Sequence, residues 1–83
     1  MKNPVRRIKE EKGLTNREIA ILLEQSVANV SHLLNGHFNF IPEKTLNVFE
    51  KLGYNKTELQ KEYKRYRKSE QRKITESFEK KEV

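Results

Sequence analysis

The amino-acid sequence predicts an all-α protein of five helices. Each of its three glycines directly follows a run whose apolar residues recur with helical spacing, and each run begins near a capping residue or a proline. Glycine takes the left-handed conformation that ends many helices without strain. The segment HFNFI alternates, but it is short and lies between a glycine and a proline, so we predict a loop there and no strand.

The first two helices have clear start signals. The first is predicted over residues 4–12, with Asn3 as its N-cap and a proline at its first position. The second is predicted over residues 16–23, where Thr15 and Glu18 have the spacing of a capping box.

The remaining helices follow the same rules. The third is predicted over residues 27–35 after Ser26 as N-cap. The fourth is predicted over residues 43–52 after Pro42, and the fifth from residue 56 onward, after an Asn and a Glu with capping-box spacing.

The apolar spacing predicts one contiguous core, built from one face of each helix and the loop before the fourth. Its predicted members are Val5, Ile8, Leu14, Ile19, Ala20, Leu22, Leu23, Val30, Leu33, Leu34, Phe38, Phe40, Ile41, Leu46, Phe49, Leu52, Leu59, Tyr63 and Tyr66. We therefore divide the chain into a domain over residues 1–66 and an extension over residues 67–83. The extension is a long charged helix that frays or a disordered tail; alternatively, Ile74 and Phe78 pack on a second chain.

The charge distribution points to a polyanionic partner. The net charge is +6, with +3 over residues 1–12, −1 over residues 13–53 and +4 over residues 54–83. Between Glu24 and Glu43 there is no Asp, Glu, Lys or Arg. A neutral helix face in so charged a protein is typical of close contact with DNA bases, or of packing on another protein.

The composition argues against several other functions. The chain has no Cys and no Asp, and neither His32 nor His37 has metal-ligand spacing with an acidic residue, so no metal is expected. No nucleophile–base set and no phosphate-binding glycine loop is visible, so we expect neither an enzyme nor a cofactor. The start has no apolar run of a signal peptide and no window has transmembrane length, so a cytoplasmic protein without membrane contact is expected.

The second and third helices are joined by only three residues, 24–26, and Ala20 occupies the position where two closely crossed helices touch. This is the pattern of a helix-turn-helix. The stretch LTNREIAILLEQSVANVSHLLNG, followed by IPEKTLNVFEKLGY, resembles the Cro and phage-repressor (XRE-like) helix-turn-helix family over about residues 4–66, in its full five-helix order. The sequence departs from that family at Asn16, usually Gln, at Gln25, usually apolar, and at Glu24, where a left-handed Gly is usual.

The resemblance implies that the third helix enters the DNA major groove. The positions that would contact bases are Val27, Ala28, Asn29 and His32. Those that would contact phosphates are Asn16, Ser26, Asn35, His37 and Asn39, joined by the adjacent cations Arg17 and Lys44. Arg6, Arg7 and Lys2 could reach the DNA backbone from the first helix.

The implied function is a sequence-specific transcriptional regulator that binds double-stranded DNA, most simply a repressor from a phage, plasmid or other mobile element. A small domain covers few base pairs, so a homodimer on a short palindrome is expected. Its predicted interface comprises Leu59, Tyr63, Tyr66, Ile74 and Phe78. The alternative is a protein-interaction module on the same fold, an antitoxin or a phage-encoded inhibitor of a host protein, that binds its partner through the neutral face or the C-terminal tail.

Overall fold

The five predicted helices are all present. A computed structural model describes residues 1–81, and this part of the chain contains no strand. The helices are α1 (Pro4–Glu11), α2 (Asn16–Leu23), α3 (Val27–Leu34), α4 (Glu43–Lys51) and α5 (Lys56–Lys81). The first four end within one residue of their predicted ends. Of the two structures predicted for the extension, the helix is the one observed as far as Lys81; the last two residues of the predicted extension lie outside the described residues.

The helix starts follow the predicted capping. The Thr15 hydroxyl accepts a hydrogen bond from the Glu18 backbone N–H at 3.1 Å, and the Glu18 carboxylate accepts one from the Thr15 N–H at 3.0 Å. These bonds, first that from the Thr15 backbone and then that with its hydroxyl, lower the pKa of Glu18. The α2 capping box is therefore complete, and it fixes where the helix begins.

One core holds the helices together. Its buried apolar residues are Val5, Ile8, Ile19, Ala20, Leu23, Val30, Leu33, Leu34, Ile41, Leu46, Phe49, Leu59 and Tyr63. Three predicted core members are instead exposed: Leu22, Phe40 and Leu52. Leu22 lies to one side of the α2 face that carries Ile19 and Leu23, while Phe40 is in a loop and Leu52 follows the end of α4. Helical spacing alone does not show how far a face is covered.

Helix α5 makes the molecule elongated. Its N-terminal half packs on α1 and α4, whereas residues 71–79 are exposed. The radius of gyration is 14.1 Å, above the ~12 Å typical of a compact domain of this length. Within residues 1–81, no helix has both the length and the apolar character that crossing a bilayer requires.

Candidate nucleic-acid interface

The four predicted base-contacting residues lie on the outer face of α3. Val27, Ala28, Asn29 and His32 are all exposed. The opposite face of the same helix buries Val30, Leu33 and Leu34 in the core. Burial of one face thus fixes which side chains α3 presents outward, and the outward face carries no acidic or Lys/Arg side chain.

The N-terminal end of α3 is fixed by the turn before it. The Ser26 hydroxyl accepts a hydrogen bond from the Asn29 N–H at 3.1 Å, as its predicted capping role requires. Glu24 is left-handed, with φ 54° and ψ 44°, so the conformation expected of a Gly at this position is taken by a Glu. Such a conformation costs a non-Gly residue about 1–2 kcal/mol.

Gln25 attaches this turn to α4. Its side-chain Nε2 donates a hydrogen bond to the hydroxyl of Thr45 at 3.0 Å, and Thr45 is itself buried. A buried hydroxyl without a partner would be destabilising. The polar residue at a usually apolar position therefore joins the α2–α3 turn to the start of α4.

The C-terminal end of α3 is held by α1. The Asn3 side chain is 2% exposed, and its amide nitrogen donates to the backbone oxygens of Leu33 and Leu34, each at 3.0 Å. The same side chain caps α1 through its oxygen, which accepts from the Val5 N–H at 2.9 Å. Arg6 adds a contact of 3.4 Å to the Leu34 oxygen. The last carbonyls of a helix lack hydrogen-bond donors within that helix. Here the N-cap of α1 and its Arg6 provide donors to them.

Sequence reasoning assigned Asn3 to α1 alone. The position of Asn3 before Pro4 indicates an N-cap, but the Leu33 and Leu34 carbonyls that its side chain also contacts are 30 and 31 positions further along the chain. Arg6, suggested as a contact to the DNA backbone, donates to the end of α3 and to the Asn35 side-chain oxygen at 3.3 Å. No local pattern could reveal these contacts.

The other cations suggested near the first helix are also engaged within the chain. Arg7 forms ion pairs with Glu62 at 2.9 Å and with Glu11 at 3.6 Å. Lys2 pairs with Glu10. Arg6, Arg7 and Lys2 therefore all make intramolecular contacts, and Lys2 is the most exposed of the three.

A pair of histidines links α3 to the loop that follows it. The Nδ1 atoms of His32 and His37 are 3.0 Å apart, and their rings are tilted with centroids 5.2 Å apart. One ring can donate and the other accept when at least one is neutral. The close pair is thus a polar contact between helix and loop. Among the described residues, no group of three His, Cys, Asp or Glu side chains could hold a metal ion.

Two α5 side chains form hydrogen bonds with the backbone of the loop from Gly36 to Pro42. The sequence did not predict these contacts. Tyr63 donates from its hydroxyl to the Phe38 oxygen at 2.9 Å, and burial raises the pKa of Tyr63. Gln60 accepts from the Ile41 N–H at 2.8 Å and donates to the Ile41 oxygen at 2.9 Å. The backbone on either side of the loop's midpoint is therefore held by α5.

Four of the predicted phosphate-contacting residues lie at or beyond the C-terminal end of α3 and in the first turn of α4. Asn35, His37 and Asn39 are exposed in and before the loop after α3. Lys44, in the first turn of α4, lines a groove of about 840 Å³ together with Asn29.

Asn16 and Arg17 occupy the first turn of α2, with Arg17 exposed. The Asn16 side-chain oxygen is buried and has no hydrogen-bond partner among the described residues. The amide nitrogen is thus the Asn16 group with hydrogen-bonding capacity toward an acceptor such as a phosphate.

The structure corrects the predicted dimer interface at two residues. Leu59 is 2% exposed and Tyr63 is fully buried, because both pack in the chain's own core. Tyr66 is half-buried, and its ring lies against Gly36. Only Ile74 and Phe78, 57% and 62% exposed, present their side chains freely.

Comparisons with known proteins identify no relative. No family model matches the chain, and no curated protein or solved structure matches it either. The resemblance of the sequence to the XRE-like family therefore stays a prediction. A function must be proposed from the chemistry and placement of the residues themselves.

Proposed function

We propose that the chain is a sequence-specific DNA-binding regulator of transcription, acting in the cytoplasm as a repressor that occludes a promoter. In this proposal α2 and α3 form a helix-turn-helix of the phage-repressor kind. A homodimer binds a short palindromic operator, with one α3 in each of two successive turns of the major groove. The origin in a phage, plasmid or other mobile element is carried over from the sequence resemblance.

One observation carries the proposal: α3 presents a neutral outer face in a chain of net charge +6. An acidic side chain there would face two rows of phosphates, and base edges are recognised by hydrogen bonds and methyl contacts at short range. Lys44 lines a groove with Asn29 of this face, and Arg17 is exposed in the first turn of α2. That arrangement suits base contact at the centre and phosphate contact at the edges.

The individual side chains suit these tasks. The exposed Asn29 amide can pair bidentately with adenine, which is worth about 1–3 kcal/mol of discrimination. Val27 and Ala28 can contact a thymine methyl group. His32 can donate to a guanine, and its contact with His37 would hold the ring in place.

The dimer contact is assigned to the C-terminal part of α5. Ile74 and Phe78 are exposed and lie four residues apart, so they share one face of the helix. Replacing Phe78 by Glu should shift the hydrodynamic mass from dimer to monomer. Arg72→Gln makes the same change in net charge at an exposed position on the opposite side of the helix, and it should leave the mass unchanged. Equal masses for the two variants would rule this interface out.

The test of the function is selection of bound sequences from random duplex DNA at physiological salt. The proposal predicts enrichment of a short two-fold symmetric site. An absence of enrichment, together with an absence of salt-dependent binding, would contradict it.

A protein-interaction module is the second candidate, and the exposed arm of α5 favours it. Residues 71–79 are exposed and carry two large apolar side chains, which a partner protein could cover. A salt titration separates the candidates, because DNA affinity falls with a log–log slope of about −0.9 per phosphate contacted. A protein-only partner predicts no DNA binding at moderate salt.

A further inference from the structure

A groove runs between the loop after α3 and the middle of α5. It has a volume of about 740 Å³ and is lined by residues of both elements. Its lining includes Asn35, His37 and Asn39 from the loop side and Lys64, Arg67 and Lys68 from α5. Three of the loop residues in it were predicted to contact phosphates, whereas no role was predicted for the α5 cations.

The α5 wall of the groove is cationic. It contributes Lys64, Arg67 and Lys68 against the single carboxylate of Glu70. That carboxylate lies 3.6 Å from the ammonium group of Lys73, which offsets its charge. Lys64 and Lys68 are exposed, and neither forms an ion pair with a carboxylate of the described residues. The groove therefore offers cations to an external anion.

The groove is continuous with the outer face of α3. His32 on that face contacts His37 in the loop at 3.0 Å. Asn39, further along the loop, accepts a hydrogen bond from the Arg67 guanidinium at 2.7 Å. One contact therefore joins α3 to the loop and another joins the loop to α5, at loop positions two residues apart.

We propose that this groove binds the sugar–phosphate backbone of duplex DNA beside the bases that α3 contacts, so that α5 is a second phosphate-binding element. The inference rests on the proposed DNA-binding function and extends it to α5. Lys64 and Lys68 are four residues apart, or about 6 Å along the helix axis. Each DNA strand carries one phosphate about every 3.4 Å of axial rise, so the two ammonium groups can meet different phosphates.

Position, and not merely charge, distinguishes this groove from the rest of α5. Arg65 and Arg72 are also exposed α5 cations, but neither lines this groove. They line another groove with Met1, to which Lys68 also contributes and Lys64 does not. They therefore supply a matched control for the loss of two positive charges. A helix whose cations serve only to keep the protein soluble would show no difference between the two positions.

The experiment compares the full chain with K64Q/K68Q and R65Q/R72Q. Affinity for a random-sequence duplex of about three helical turns is measured over a series of salt concentrations. Loss of two phosphate contacts should flatten the log–log slope by about 1–2 in K64Q/K68Q. The R65Q/R72Q control should change the slope by less than half as much. K64R/K68R should keep the original slope, because an arginine also neutralises a phosphate, and circular dichroism should show the same helix content throughout.

The outcomes are separable. Equal flattening by K64Q/K68Q and R65Q/R72Q, or no flattening by either, would overturn the groove while leaving DNA binding intact. If the unmodified chain shows no salt-dependent affinity for DNA, the proposed function fails and the groove fails with it. A loss in K64Q/K68Q that depends on the DNA sequence would also contradict the inference, because phosphate contacts are independent of sequence.

Discussion

At its N-terminal end, α3 is held mainly by residues close to it in the chain, whereas its C-terminal end is held by α1 and by the loop fastened to α5. Ser26 caps the helix from the preceding position, and Glu24 completes a turn of three residues. At the other end, Asn3 reaches the carbonyls of residues 33 and 34. The N-terminal end therefore depends mainly on local conformation, to which the contact from Gln25 to Thr45 is added, whereas the C-terminal end depends on tertiary contacts.

This difference bears on the proposed function. A helix that contacts bases must be held in one orientation, since groups displaced by about 1 Å lose hydrogen-bond geometry. The hydrogen bonds from Asn3 give donors to the last carbonyls of α3, and they set the position of α3 relative to α1. Variants at the C-terminal end should accordingly affect stability more than variants at the N-terminal end.

The largest effect is expected from Asn3→Ala. It removes the α1 cap and one hydrogen bond to each of two carbonyls, which keep only the Gly36 N–H and the 3.4 Å contact from Arg6 as donors. Together these losses should lower the free energy of unfolding by about 3 kcal/mol. Ser26→Ala, the matched loss of a cap at the other end, should cost about 1 kcal/mol. Urea denaturation measures both.

Asn3→Ser separates the two tasks of Asn3, because it keeps a capping oxygen and loses the amide that reaches α3. Asn3→Ser should therefore show most of the loss in free energy of unfolding that is expected for Asn3→Ala. Recovery of full stability by this variant would show that the cap alone matters and that the contacts to Leu33 and Leu34 contribute little.

A smaller effect is expected from Gly36→Ala, just beyond the end of α3. Gly36 has φ +75°, and a Cβ atom there would lie 2.7 Å from Cε2 of Tyr66. The left-handed conformation costs Ala about 1–2 kcal/mol, and the crowding should add about 1 kcal/mol.

Gly13→Ala is the control for this substitution. Gly13 has φ +64°, but an added Cβ would meet nothing within 4 Å. The difference in unfolding free energy between the two variants isolates the contact with Tyr66. Equal losses would mean that the ring moves aside at no cost and that α5 does not constrain the loop at this point.

The smallest effect, and one of opposite sign, is expected from Glu24→Gly in the turn before α3. Relief of the left-handed strain at φ 54° should raise the free energy of unfolding by at most about 1 kcal/mol, which is measured as a higher thermal midpoint. Glu24→Ala removes the same charge but keeps the strain, so it should not stabilise the protein. If both variants stabilise equally, the charge of Glu24 and not its conformation is responsible.

The same contrast explains what could be predicted from the sequence. The helix starts and the exposed face of α3 were predictable, because caps and apolar spacing act within a few residues. The two hydrogen bonds from Asn3 to α3 and the two between Gln60 and the Ile41 backbone could not be predicted, because each joins positions at least 19 residues apart.

Leu59 and Tyr63 show a second limit. Their spacing identified an apolar face of α5 correctly, but spacing does not say whether the chain's own core or a second copy covers that face. The core covers both residues, so a change such as Tyr63→Glu should unfold the protein and not merely separate a dimer.

The most direct test of the central claim, that α3 contacts bases through its neutral face, compares the base preferences of the unmodified chain and Asn29→Ala on random duplex DNA at one salt concentration. The claim predicts that Asn29→Ala loses preference at one position in each half-site while its affinity for non-selected DNA is retained. Lys44→Ala should instead weaken binding to all sequences alike. An equal loss on every sequence for Asn29→Ala, or an unchanged preference, would contradict the claim.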